Sequence, residues 1–129
     1  MKKGDTFQQT FTVDTLVYRG FIDIFKDNNP LHTDPVFATE KGFKSEVMHG
    51  NILNGFLSYF IGECLPLKNV IIQTQEIKFY SPVYLNSVLT FNAEIQDVFD
   101  SVNMVEFKYY FQNIEGKKVA KGAIQIGII

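Results

Sequence analysis

The stretch from 27 to 38, DNNPLHTDPVFA, holds the residues of this chain best suited to chemistry. A carboxylate, Asp27, and an imidazole, His32, stand five positions apart with Pro30 between them. A continuous helix would send such a pair away from each other. Pro30 breaks the helix and forces Asn29 out of the α region, so Asn28 to Thr33 is expected as an irregular loop that folds back on itself. Asn29 can tie that loop down through its own amide. Asp27 and His32 can then aim at one small object such as a water, hold it and move its proton. The competing reading is a solvated turn, because Asn, Asp and Pro are ordinary loop residues.

The elements that must position this pair follow from periodicity. Phe7 to Val13 alternates and reads as a strand. Asp14 or Thr15 caps a helix expected to run to about Asp27, with Val17, Phe21, Ile24 and Phe25 at helical spacing. Asp34-Pro35 reads as a cap followed by proline at the first helical position, opening a short helix that ends at Gly42. From Gly50 to Leu65, GNILNGFLSYFIGECL is apolar nearly all round and is expected as one buried helix. Its polar or small stripe is Asn51, Asn54, Ser58 and Gly62, and Gly55 and Gly62 each cost about 1 kcal/mol against Ala. After Pro66 the period becomes two: Val70 to Tyr80, Val88 to Val98, Val105 to Phe111 and Val119 to Ile128 read as strands, with a turn at Asn113 to Gly116. One long buried helix and long antiparallel strands give an α+β class, and the hotdog arrangement if the sheet wraps the helix.

The bulk composition narrows the function classes. A chain of 129 residues suits a single domain, 1–129, and 46% hydrophobic residues can fill its core. A net charge of −2 argues against a general nucleic-acid or membrane-surface binder, which needs a basic field, although a local lysine cluster could still hold a phosphorylated ligand. The single cysteine, Cys64, leaves no internal disulfide and fits a reducing compartment. No apolar run follows the two N-terminal lysines and no stretch is long enough to span a bilayer, so the expected setting is the cytoplasm.

The string Asp27-x-Asn29-Pro30-x-His32-x-Asp34, followed by Ala38, Gly42-Phe43 and His49-Gly50, resembles the MaoC-like (R)-specific enoyl-CoA hydratases. Gly4-Asp5, Leu65-Pro66 and Phe79-x-x-Pro82-Val83 stand in the order that family shows, so the resemblance covers almost the whole chain. It implies a hotdog domain paired edge to edge as a homodimer, or a dimer of such dimers. It implies reversible addition of water to a trans-2-enoyl thioester, giving a (R)-3-hydroxyacyl thioester. Carried over, the family's catalytic pair falls on Asp27 and His32, its thioester-binding amide on Gly50, and its pocket-lining serine on Ser58. Three positions depart from the family pattern: Phe25-Lys26 before Asp27, Asn86-Ser87 in a turn that is often Gly-Asp, and Asn51 where Met is common. The last puts an amide beside the thioester site.

Such a reaction needs a base for the water, a proton for the α-carbon and a donor for the enolate oxygen. Asp27 and His32 can supply the first two, and His is the better match near neutral pH. Gly50 stands at a helix N-terminus, where free N–H groups and the dipole favour an oxyanion. Asn29, His49, Asn51 and Ser58 are the candidate substrate-binding residues. His49 is equally read as shaping the turn into the helix, and Asn51 and Asn54 as bonding helix to sheet. Asp34 reads as a cap, and Cys64 as a buried small hydrophobe. Lys41, Lys44 and Lys78 read as solvated, with coenzyme A phosphates as the alternative. Tyr59 and Ile61 suggest a filled pocket and a short acyl chain. No metal and no bound cofactor are expected, since coenzyme A or phosphopantetheine belongs to the substrate. The rivals are the same chemistry on an acyl-carrier-protein substrate, a hotdog thioesterase, and a non-catalytic acyl-binding subunit. For the thioesterase the helix offers only Glu63 as a carboxylate.

Overall fold

A computed structural model describes residues 1–129. Five antiparallel strands form one sheet in the order β1-β3-β4-β5-β2: β1 Thr6–Thr12, β2 Val70–Phe79, β3 Val88–Phe99, β4 Met104–Gln112 and β5 Lys118–Ile128. The helices α1 Thr15–Phe25, α2 Pro30–Thr33, α3 Pro35–Glu40 and α4 Asn51–Tyr59 all fall between β1 and β2. A turn of π-helix, Phe60–Cys64, continues α4. This is the α+β hotdog fold.

Strand alternation decides which face meets the helix. Leu89, Phe91, Ala93 and Ile95 of β3 are buried, as are Val105, Phe107, Tyr109 and Phe111 of β4. Against them α4 and its extension place Ile52, Leu53, Leu57, Phe60 and Ile61. Phe60 is fully buried and meets Phe91, Phe7 and Phe107 at centroid separations of 4.8, 5.5 and 5.8 Å, in tilted and edge-to-face pairs. Phe56 stacks on Phe11 of β1 at 4.4 Å. Each such pair adds about 0.5–1.5 kcal/mol beyond area burial, so the helix is fixed in rotation and depth against the sheet.

Four local expectations change. α1 stops at Phe25, two residues early, because Lys26 adopts a left-handed conformation (φ 63°) and donates its N–H to the Ile22 carbonyl. Asn28 to Thr33 is not wholly irregular: Pro30 serves as the first residue of the helical turn α2, where its missing N–H costs nothing. The central helix does not run as a regular α-helix to Leu65, since its last turn widens into the π form. Nor is it buried all round, for Asn51, Gly55, Ser58 and Tyr59 face outward. Tyr59 is 52% exposed and therefore does not fill an acyl pocket within the single chain.

Between the paired strands β5 and β2 the chain comes close to itself at Gly122. A methyl group on Gly122 would stand 1.9 Å from the Glu76 carbonyl oxygen and 2.7 Å from the Tyr109 hydroxyl. Only glycine leaves room for the Tyr109 hydroxyl to donate to that carbonyl, at 2.8 Å. Gly122→Ala should therefore lose about 2–3 kcal/mol or more of stability, read as a lower urea midpoint at unchanged m-value. Burial, with the Glu76 carboxylate adding to it, pushes the Tyr109 phenol far above its ordinary value. The folded state then keeps a proton that the unfolded state loses. Stability is full below the ordinary tyrosine pKa of about 10 and falls as pH rises beyond it. The alkaline arm of a melting profile should be shallower for Tyr109→Phe than for the wild type.

Candidate active site

His32 sits in α2, and its ring is held from the backbone. Its Nδ1 lies 2.7 Å from the Val47 carbonyl oxygen. A carbonyl only accepts, so Nδ1 carries the proton and Nε2 keeps a free lone pair. Two further bonds pin the same turn: the Tyr18 hydroxyl donates to the His32 carbonyl at 2.5 Å, and the Val47 N–H donates to the Leu31 carbonyl at 2.9 Å. Burial raises the Tyr18 phenol, with Arg19 opposing and Glu46 reinforcing the shift, so Tyr18 stays a donor. Asn29 caps α2, its side-chain oxygen accepting from the Leu31 N–H at 3.0 Å. Its side chain is thereby committed to the loop.

Asp27 lies outside both α1 and α2. Its carboxylate accepts from the Asn29 N–H at 3.2 Å, and its carbonyl accepts from His49 Nε2–H at 2.9 Å. His49 is the one buried polar residue of the chain, 3% exposed. Its ring stacks on His32 at 4.1 Å and packs on Phe21 at 4.6 Å. One side chain therefore touches the loop of Asp27, the ring of His32 and, through its own backbone, Gly50. Functional atoms of Asp27, His32 and His49 fall within 4.8 Å of one another. The planes of the two imidazole rings are inclined by 29°. The His49 Nδ1 is buried without a partner.

Gly50 is the first residue of the turn that becomes α4. Its carbonyl accepts from the Leu53 N–H and the His49 carbonyl from the Ile52 N–H, whereas the Gly50 N–H donates to nothing in the chain. The Phe79 ring lies across the residue: a methyl at Gly50 would stand 2.9 Å from it. Gly50, His32, His49, Asn51, Phe43 and Phe79 share the wall of a cavity of about 500 Å3. Asp27 opens instead on a second, mainly apolar cavity with Phe21, Phe25, Asn54 and Phe56, of about 760 Å3. Asn51 borders both.

Of the sequence candidates, then, Asp27, His32, His49, Gly50 and Asn51 come together. Asn51 also accepts from Asn54 at 2.8 Å, and Asn54 accepts from Gln75 of β2, so these residues both line the cavities and tie helix to sheet. Ser58 does not join them: it is exposed and borders neither cavity in the single chain. Asp34 caps α3, accepting from Val36 and Phe37. Cys64 is half-buried rather than buried, and burial raises its thiol. Sequence reasoning missed Tyr18, Val47, Phe21 and Phe79. Tyr18 and Val47 act through backbone carbonyls across long separations, and the place of Phe79 in the family pattern gives no sign that its ring covers Gly50.

A family model described as a MaoC like domain matches residues 3–116. The chain is similar to an (R)-specific enoyl-CoA hydratase of Aeromonas caviae, 35% identical over 75 residues that cover 58% of this chain and 56% of that protein. It is also similar to an (R)-specific enoyl-CoA hydratase of Rhodospirillum rubrum, 26% identical over 122 residues, covering 95% and 84% respectively. Among solved structures, an (R)-hydratase from A. caviae superposes over 100% of this chain and 98% of that one, with a TM-score of 0.91 at 22% identity.

Removing the ring that joins these parts tests the arrangement. His49→Ala should cost about 2–4 kcal/mol of stability through the cavity and the lost bond to Asp27. Hydrogen exchange should show the amides of Asn29, Leu31 and His32 losing protection first; uniform loss across the chain would place His49 merely in the core.

Proposed function

From the premise that the chain belongs to the MaoC-like domain family, we propose that it is a hydro-lyase. It adds water reversibly to trans-2-enoyl thioesters, giving (R)-3-hydroxyacyl thioesters. The observation that carries this is a pair of neighbouring groupings: Asp27 and His32 bring functional atoms within 4.8 Å of each other, and His32 shares a cavity wall with the unpaired N–H of Gly50.

The steps follow from the atoms. The thioester carbonyl lies against Gly50, whose N–H donates to its oxygen. A water held between the Asp27 carboxylate and His32 Nε2 attacks the β-carbon, and Nε2 takes its proton. Charge moves onto the thioester oxygen, where the Gly50 N–H and the N-terminus of α4 stabilise it. The proton then returns to the α-carbon from the same face, directly from His32 or by way of Asp27. His49, stacked on His32, holds that ring in place. Coenzyme A or phosphopantetheine belongs to the substrate, and the proposed steps draw on no other cofactor and no metal.

A thioesterase is disfavoured by the position of Glu63, which is exposed, pairs with Lys68 at 3.6 Å and borders neither cavity. The free edge of β2 exposes Ile71. That edge supports a homodimer in which two sheets join, since an unpaired edge strand invites a partner. No helix is long and apolar enough to cross a membrane, and a cytoplasmic enzyme is the setting proposed.

With crotonyl-CoA as substrate, Asp27→Asn and His32→Ala should each lower kcat by about 10²–10⁴-fold while near-ultraviolet circular dichroism stays native. Loss of the enoyl absorbance is the readout. Wild-type protein that releases thiol from saturated acyl-CoA, without hydrating enoyl-CoA, would overturn the reading.

A further inference from the structure

The outer face of the sheet carries a charge arrangement that folding alone does not explain. Lys78 of β2 and Lys121 of β5 are directly opposite in the strand register. Like charges so placed destabilise a sheet. Tyr110 of β4 faces Lys121 on the other side, and Lys118 follows on the same face. With Tyr80 these residues border a groove of about 760 Å3 that runs across the strands. Two carboxylates share the groove. Glu94 is held by Lys108 at 3.6 Å, and Glu76 forms no ion pair with any lysine. Lys78, Lys118 and Lys121 also lack a carboxylate partner, although the chain as a whole is acidic.

Two of these ammonium groups lie over aromatic rings instead. Lys118 Nζ is 4.3 Å from the Tyr110 centroid, and Lys121 Nζ is 5.3 Å from that of Tyr80. A flat π surface beside a cluster of cations suits a base joined to phosphates. The position matters as well. Tyr80 borders both this groove and the cavity of Gly50. Phe79, which covers Gly50, follows Lys78 in β2, so the two side chains leave opposite faces of one edge strand.

We propose that this groove is a nucleoside-phosphate site, and that it holds the nucleotide end of a coenzyme A thioester whose reacting end lies at Gly50. The proposal rests on the thioester reading above. It makes Lys78 and Lys121 determinants of the carrier, selecting a free nucleotide-bearing thiol over a protein-borne one. The flexible pantetheine arm passes round the end of β2 at Tyr80. Phosphate between Lys78 and Lys121 relieves their repulsion, so binding and local stability are coupled.

The test compares the wild type with Lys78→Gln, Lys121→Gln and the double variant. Adenosine 3′,5′-bisphosphate should raise the melting temperature of the wild type, and this rise should vanish in the double variant. The ratio of kcat/KM for crotonyl-CoA to that for crotonyl-pantetheine should fall roughly tenfold or more in the double variant, about the size of one charge-assisted hydrogen bond. A rise in melting temperature that survives the double substitution would overturn the site. So would an equal rise with inorganic phosphate, which lacks the base, or an unchanged ratio. If wild-type protein hydrates neither substrate, the hydratase reading fails, and the bisphosphate shift still decides whether the groove takes a nucleotide.

Discussion

The packing of α4 and its π-helical extension against the inner sheet face is the constraint on which the rest of the molecule depends. Phe60 is enclosed by Phe7, Phe91 and Phe107, and Phe56 lies flat on Phe11. Truncating a buried aromatic of this kind typically costs about 3–5 kcal/mol, a large part of what holds a domain of this size together. The same contacts set where α4 begins. Because that start is fixed by the core, the free N–H of Gly50 is held at one place rather than drifting with a loop.

Asp27 and His32 are attached to that anchor through backbone atoms more than through side-chain partners. His32 is oriented by the Val47 carbonyl, and α2 by Tyr18 and Val47. Asp27 is held at its own carbonyl by His49, which leaves its carboxylate available. Backbone carbonyls serve well for this purpose, because they only accept and so keep a proton on the ring nitrogen that faces them. His49 completes the attachment by linking the loop, the imidazole ring and the start of α4.

Close approaches of the chain to itself mark where the fold gives up side-chain freedom for geometry. Gly122 admits the Tyr109-to-Glu76 bond between β4 and β2, and Gly50 admits the Phe79 ring above the site. On the outer face the opposed lysines are the reverse case, where a favourable pairing is withheld. Sites that need a particular field commonly carry such local conflict.

Much of this was readable in the sequence. Alternation in Leu89 to Ile95 and Val105 to Phe111 set both strands and their buried face, because period two is a local property. Asp14 and Asp34 marked helix starts, since a cap bonds within its own first turn. Pro30 between Asp27 and His32 announced a break in the helix, and with His49-Gly50 it carried the family resemblance. Other features depended on the tertiary structure. No letter marks the carbonyls of Val47 or Asp27 as acceptors, because every residue has one. The contact of Tyr18 with α2, the Phe79 ring on Gly50 and the facing of Lys78 by Lys121 join positions distant in sequence, and register alone brings them together. The outward turn of Ser58 and Tyr59 likewise depends on how far the sheet wraps round the helix. Local pattern therefore determined the elements and the candidate residues, and long-range packing decided which of those residues meet.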